Sequence, residues 1–373
     1  DLVETIRGND FIYRDGRASI HLAEEFGFCY GVDRAVDYAY QTRKKFPDRT
    51  VYLTGEIIHN PHVNARLRSA GIRFLSDPTE SSDQVASDDV VILPAFGVTI
   101  GELERLTNSG CTLVDTTCGS VLNVWKNVRQ YARDGYTAVI HGKVKHEETQ
   151  ATASQARITD NGRYVIVLDR KEAELLCDYI TGKQPLDTFQ SHFLNACSPN
   201  FDPNKDLIRV GLANQTTMLM SESLEIGQLI RRAMVTRYGE SNINEHYQAF
   251  DTICSATQDR QDAIQTLLDT ANLDLAIVIG GYNSSNTRNL AKICAPKVPT
   301  YHIAEPSCLV STSELRHLPT TTPAGTSVEQ TEHHWLPNTG KLSIGVSAGA
   351  STPDNIVGKV ISRLADLAKT EHR

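Results

Sequence analysis

The sequence predicts an α/β protein with mostly parallel sheets, and three observations carry that expectation. Short apolar runs alternate with helix-like stretches from one end of the chain to the other, which is the pattern left by βα units. The 373 residues allow two or three domains at about 150 residues each. Hydrophobic residues make up 40% and charged residues 22%, the mixture of a globular protein with a sizeable core.

In chain order, strands are expected at 20–23, 51–54, 90–93, 112–115, 137–141, 164–168, 208–213, 275–279, 300–303 and 342–346. Each is an apolar run too short to make a helix of ordinary length. Between them, helices are expected at 32–45, 61–69, 100–108, 121–133, 147–155, 171–179, 221–238, 256–270, 284–293 and 353–369. Residues 182–205 and 319–341 show the least pattern. The second stretch holds Thr320-Thr321-Thr322-Pro323-Ala324-Gly325 and reads as a flexible surface insertion. No repeat or low-complexity tract interrupts the alternation.

Lys plus Arg number 37 against 45 for Asp plus Glu, a net charge of −8. That balance argues against a general nucleic-acid binder, which would carry a basic surplus. It leaves a local polar pocket open. No apolar run approaches the roughly 18 residues of a membrane-spanning helix. The start Asp1-Leu2-Val3-Glu4 lacks the charged-then-apolar pattern of a signal peptide. The chain does not begin with Met, so a removed targeting segment stays open.

Eight cysteines without a secretory signal argue against disulfides. Three share one context. Cys29 lies in Phe26-Gly27-Phe28-Cys29-Tyr30-Gly31-Val32-Asp33-Arg34, Cys118 in Val114-Asp115-Thr116-Thr117-Cys118-Gly119, and Cys254 in Phe250-Asp251-Thr252-Ile253-Cys254-Ser255-Ala256-Thr257. The first two sit between an expected strand and a helix, and the third sits ahead of a helix. Ligands in open α/β sheets collect at the carboxyl ends of strands, and a thiolate near a helix N-terminus is favoured by the free N–H groups and the dipole. Three such thiols suit a soft metal centre: zinc, Cu(I) or iron–sulfur. A structural zinc site normally brings close pairs such as C-x-x-C, and none occurs. Spacing alone therefore leaves open the other reading, that each is a small buried hydrophobe. Cys111, Cys177, Cys197, Cys294 and Cys308 lack the shared context and are expected to be structural.

Polar groups gather at other junctions. Gly55-Glu56-Ile57-Ile58-His59-Asn60-Pro61, His141-Gly142-Lys143-Val144-Lys145-His146-Glu147-Glu148-Thr149 and Asn214-Gln215-Thr216-Thr217 follow strands. Gly280-Gly281-Tyr282-Asn283-Ser284-Ser285-Asn286-Thr287 and Ser347-Ala348-Gly349-Ala350-Ser351-Thr352-Pro353 carry small and hydroxyl residues into helix starts. Helix capping is one reading of each; hydroxyls, amides and N–H groups facing a phosphate is the other. None is a Walker or G-x-G-x-x-G motif, so a mononucleotide or NAD site is poorly supported. His59 and His146 are structural histidines or donors to phosphate oxygens. Glu148 is a first-turn helix carboxylate or, in a buried setting, a proton donor.

Taken in order, eight of these motifs resemble the LytB-type iron–sulfur reductases, the 4-hydroxy-3-methylbut-2-enyl diphosphate reductases of the methylerythritol phosphate pathway. They are Phe26-Gly27-Phe28-Cys29-Tyr30-Gly31-Val32-Asp33-Arg34-Ala35, Glu56-Ile57-Ile58-His59-Asn60, Asp115-Thr116-Thr117-Cys118, His146-Glu147-Glu148, Asn214-Gln215-Thr216-Thr217, Asp251-Thr252-Ile253-Cys254, Asn283-Ser284-Ser285-Asn286 and Ala348-Gly349-Ala350-Ser351-Thr352-Pro353-Asp354. The resemblance runs from about residue 20 to about 367. It implies three similar α/β modules around a central cavity, at 20–117, 118–245 and 246–370, the last completed by the N-terminal segment.

The resemblance also implies a 4Fe–4S cluster held by Cys29, Cys118 and Cys254, with one iron open to the substrate's allylic hydroxyl. The implied reaction is reductive dehydroxylation to isopentenyl and dimethylallyl diphosphate, an oxidoreductase step of isoprene biosynthesis. Glu148 would relay protons and Thr216 would orient the hydroxyl. His59, His146, Gln215, Thr217, Ser284, Ser285, Asn286 and Ser351 would bind the substrate. The implied partners are the allylic diphosphate and a ferredoxin or flavodoxin electron donor, with no nucleic acid and no membrane. The implied location is the bacterial cytoplasm, or the plastid stroma if a transit segment has been removed.

Two positions depart from the family pattern. Phe96, in Pro94-Ala95-Phe96-Gly97-Val98, stands where many bacterial members have His. Gly119 stands where Pro is common. Phe96 and the long insertions resemble the cyanobacterial and plastid branch. Two other readings compete: a non-catalytic binder of a phosphorylated ligand with zinc or structural cysteines, and a different α/β enzyme such as a sugar-phosphate transferase. A proton path through Glu148 and Thr216 distinguishes the reductase from the binder, and bound iron distinguishes it from the transferase.

Overall fold

The computed structural model describes residues 2–250, 252–323, 326–338 and 340–369. The fold is mixed α/β, with three mostly parallel sheets and a two-stranded ribbon among the described residues. The chain packs as two compact units, one of Asp1–Asp33, Ile58–Arg66 and Ser255–Arg373, the other of Arg34–Ile57 and Leu67–Cys254.

The first unit is built on one five-stranded sheet, in the order Ile12–Asp15, Ala18–Leu22, Leu342–Ala348, Leu275–Ile279, Thr300–Ile303. All neighbours are parallel except the N-terminal hairpin pair. The strand Leu275–Ile279 is buried throughout, as a parallel strand covered on both faces must be. Its alternate residues divide between two cores. Leu275, Ile277 and Ile279 pack with Val357, Val360, Ile361 and Leu364 of the helix Asp354–Lys369. Ala276 and Val278 pack with Ile264, Leu290, Ala291 and Cys294 from the helices Ser255–Thr270 and Ser285–Cys294. The strand around Ile20 thus belongs to the sheet of the C-terminal strands, with Ile20 opposite Ile344.

The second unit carries two four-stranded parallel sheets. One runs Ile72–Phe74, Val51–Leu53, Val90–Leu93, Thr112–Asp115; the other runs Tyr247–Ala249, Val210–Asn214, Thr137–His141, Arg163–Val167. Parallel strands align their carboxyl ends along one sheet edge, so each sheet delivers its following loops to one side.

The helices Pro61–Ser69, Ile100–Asn108 and Glu147–Gln155 fall on the predicted boundaries. The three-residue edge strands Ile72–Phe74 and Tyr247–Ala249 were too short to leave a period. Residues 182–205 are packed, not loose. Phe189 stacks on Phe193 and Phe201, each at 4.9 Å, and Cys197 bridges to Val165. Those aromatics plug the end of the core beside Tyr179, which a scan for helical or strand periodicity does not register. The second weakly patterned stretch is also anchored: Gln330–His333 pairs with Glu314–His317, and Trp335 is buried. Ala324 and Gly325 lie outside the described residues.

Candidate active site

In the first unit, polar loops gather at the carboxyl ends of Leu275–Ile279 and Leu342–Ala348. Ser284 caps the helix Ser285–Cys294, its hydroxyl accepting from the Thr287 N–H at 3.3 Å. Capping and anion binding are compatible here, since the hydroxyl still has a proton to donate. Ser284, Ser285, Asn286, Ser351 and His59 are all buried. The His59 carbonyl accepts from the Ser351 hydroxyl at 3.3 Å, and the Asn60 amide donates to the Ser351 carbonyl at 2.7 Å. The Asn286 Oδ1 accepts from the Ala350 N–H at 2.8 Å, while its Nδ2 is buried without a protein partner. A buried amide donor left unpaired is costly unless a ligand meets it. Gly349 is required by this close packing, because a Cβ there would overlap the Thr287 hydroxyl.

Cys29 stands immediately before the helix Tyr30–Lys45. Its N–H donates to the Ala350 carbonyl at 3.3 Å. The preceding turn is held by Arg260, whose buried guanidinium donates to the carbonyls of Gly27 at 2.8 Å and Phe28 at 3.2 Å.

In the second unit, the helix Glu147–Gln155 opens at His146. The His146 Nδ1 accepts from the Glu148 N–H at 3.2 Å, which in the neutral ring leaves the proton on Nε2, a donor. Phe96 meets the His146 ring edge-on at 5.6 Å. The side chain in the departing position therefore packs the neighbouring imidazole. Gly97 follows it with φ +72, and a Cβ there would overlap the Trp125 ring.

Glu148 is fully buried, and its carboxylate accepts from the Thr216 N–H at 2.5 Å. Gln215 braces the same corner: its Oε1 accepts from Lys143 N–H at 3.2 Å and the Thr149 hydroxyl at 3.1 Å, and its Nε2 donates to Thr217 at 2.9 Å. Acid and hydroxyl are thus tied through the backbone, and the amide beside them fixes the turn.

Cys118 is the N-cap of Gly119–Asp134, and Cys254 precedes Ser255–Thr270. The Cys118 N–H donates to the Ala95 carbonyl at 3.0 Å, and the Cys254 N–H donates to the Thr216 carbonyl at 3.4 Å. Gly119 takes the first helical position without disturbing the helix start. All three cysteines are partly exposed at helix N-termini, and no disulfide joins any of the eight. The others differ. Cys197, Cys294 and Cys308 are buried, and burial pushes the Cys177 and Cys294 thiols up to about 12.

The LytB protein family model matches residues 20–365. The chain belongs to the LytB family. This LytB chain is 48% identical over 372 residues to 4-hydroxy-3-methylbut-2-enyl diphosphate reductase of Synechococcus sp. (strain RCC307), covering 99% of this chain and 89% of that protein. The same-named protein of Prochlorococcus marinus (strain MIT 9301) is 46% identical, with 99% and 90% covered. Among solved structures, (E)-4-hydroxy-3-methyl-but-2-enyl diphosphate reductase, the terminal enzyme of the non-mevalonate pathway, aligns with a TM-score of 0.55 at 29% identity. The match covers 93% of this chain and 99% of that one. The Plasmodium falciparum E-1-hydroxy-2-methyl-but-2-enyl-4-diphosphate reductase shares the fold, with a TM-score of 0.65 at 22% identity over 94% and 88% of the chains.

Within this LytB chain, sequence reasoning quoted the motifs that hold Asn60, Thr287 and Thr352 without giving these residues a role, and it missed Arg260. Thr352 donates to the Ile279 carbonyl at 3.0 Å and so ties two strand ends together. Arg260 lies mid-helix with no motif around it, so no signal in the sequence could have placed it on the Cys29 turn. Asn60 before Pro61 was the legible one, since it caps the helix Pro61–Ser69 through the Val63 N–H at 3.1 Å.

Proposed function

We propose that this LytB chain converts (E)-4-hydroxy-3-methylbut-2-enyl diphosphate to isopentenyl and dimethylallyl diphosphate, the last step of the methylerythritol phosphate pathway. The observation that carries the reading is 46–48% identity, over nearly the whole chain, to cyanobacterial proteins bearing that enzyme name. Cys29, Cys118 and Cys254, one from each proposed module, hold a 4Fe–4S cluster. Their fit rests on the donor set: three thiols outside disulfides, partly exposed, each at a helix N-terminus, where thiolates are favoured. When bound, a cluster with three protein thiolates supplies electrons and an open metal position for cleaving the allylic C–O bond.

The chain's own residues supply the rest. The reduction takes up two electrons and two protons and releases water. Glu148 is the proton donor toward the leaving hydroxyl, buried away from bulk water and aligned by the Thr216 N–H. Thr216 orients that hydroxyl, with Gln215 and Thr217 keeping its turn fixed. His59, His146, Ser284, Ser285, Asn286 and Ser351 hold the diphosphate, each charge-assisted bond contributing roughly 1.5–3 kcal/mol. Electrons arrive from a ferredoxin or flavodoxin, in the bacterial cytoplasm or a plastid stroma. The test is turnover of the allylic diphosphate by anaerobically purified protein with a chemical reductant. Both five-carbon products are expected by mass spectrometry, and no conversion by iron-replete protein overturns the reading.

A further inference from the structure

The loop 280–283 leads directly into Ser284, Ser285 and Asn286, and three of its residues are held from outside the loop. The His302 Nε2 donates to the Gly280 carbonyl at 2.9 Å. The Tyr282 hydroxyl donates to the Glu329 carboxylate at 2.9 Å. The Ser327 hydroxyl donates to the Asn283 Oδ1 at 2.7 Å. Just past the loop, Arg288 of the helix Ser285–Cys294 donates to the carbonyls of Pro323 at 3.2 Å and Thr326 at 3.0 Å. Three of these four holds come from one segment, the insertion that the sequence marks as patternless.

Glu329 is itself fixed. Its other oxygen pairs with Arg316 at 3.3 Å, and the buried Cys308 thiol lies 3.7 Å from both Glu329 and the Tyr282 hydroxyl. Arg316 and Cys308 belong to Glu314–His317 and the turn before it. The ring of Tyr282 stands edge-on to His302 at 5.1 Å. The phenol is thus gripped at ring and hydroxyl. Its backbone lies two residues from the Ser284 cap, so a shift of Tyr282 moves the start of the helix that presents Ser284, Ser285 and Asn286.

We propose that Pro323, Thr326, Ser327 and Glu329 act as a strap that positions the diphosphate cradle, with Tyr282 and Glu329 as its positioning residues. The inference rests on the diphosphate reading of Ser284, Ser285 and Asn286. The strap touches none of the groups that donate or relay protons. Its loss therefore weakens ground-state and transition-state binding alike, which raises KM and leaves kcat in place.

The experiment uses the holoenzyme purified without oxygen and inorganic diphosphate as probe, read by calorimetry, alongside steady-state kinetics. Tyr282→Phe and Glu329→Ala should each weaken diphosphate binding and raise KM by about three- to tenfold, the effect of one lost hydrogen bond. Turnover number, cluster absorption and melting temperature should stay near wild type. Glu329→Gln keeps an acceptor for the phenol and should restore most of the affinity. The double variant Tyr282→Phe/Glu329→Ala should be no weaker than either single one, because both remove one contact. Unchanged diphosphate affinity in Tyr282→Phe and Glu329→Ala overturns the strap, as does a parallel fall in kcat or an equal loss in Glu329→Gln. If the wild-type holoenzyme binds no diphosphate, the functional reading of the cradle fails and this inference goes with it.

Discussion

The two units solve different problems with the same βα architecture. In the first unit, the functional loops are a cluster of hydroxyls, amides and glycines, closed tightly enough that Gly349 admits no side chain. Its polar groups are neutral donors at a helix start, suited to gripping an anion. In the second unit the corresponding corner holds Glu148, a fully buried carboxylate hydrogen-bonded to the backbone of Thr216. A carboxylate is a poor neighbour for phosphate and a useful one for moving protons. On the function proposed above, Ser284, Ser285, Asn286 and Ser351 of the first unit serve binding, while the second unit carries the proton donor Glu148 with His146, a further binding residue, two positions before it.

The largest expected effect falls on both units together. Cys29→Ala in the first, and Cys118→Ala or Cys254→Ala in the second, should each abolish turnover and cluster absorption. A variant with normal iron content would remove that cysteine from the ligand set. Next, Glu148→Gln should lower kcat by about 10²–10⁴-fold while diphosphate affinity holds. Near-normal turnover would remove the acid role from the second unit. Asn286→Ala should do the reverse in the first unit, weakening diphosphate binding about tenfold or more with kcat nearly unchanged. A kcat loss equal to that of Glu148→Gln would erase the division of labour.

Two stability predictions sharpen the comparison further. Gly97→Ala should cost the second unit about 2–4 kcal/mol, from a left-handed backbone and a clash with Trp125, measured by denaturant unfolding. A pH effect is common to both units. Burial pushes His302 in the first unit and His141 in the second down to about 4, from an ordinary 6.5. Between those values the unfolded chain binds protons that the folded chain refuses. Stability is therefore full above about pH 6.5 and falls as pH drops toward 4, by up to about 1.4 kcal/mol per pH unit for each histidine. His141→Gln should flatten that slope for the second unit alone, read from unfolding at pH 7.5, 5.5 and 4.5.

Much of this was legible in the sequence because the signal was local. Fully buried parallel strands such as Leu275–Ile279 announce themselves as apolar runs, and Cys29, Cys118 and Cys254 share a context because each precedes a helix. What was illegible was long-range. Arg260 reaches the Gly27 and Phe28 carbonyls from mid-helix, and Glu329 reaches Tyr282 from a stretch without period. Phe189, Phe193 and Phe201 form a core plug from a single five-residue helix and the loop after it, too short a stretch to establish a period. Such contacts depend on chain reversals that no single window contains.

The most direct test of the central claim is iron and acid-labile sulfide per chain in protein purified without oxygen. About four of each, as a 4Fe–4S centre requires, is the predicted result. Zinc in place of iron, or no metal after anaerobic reconstitution, would contradict it.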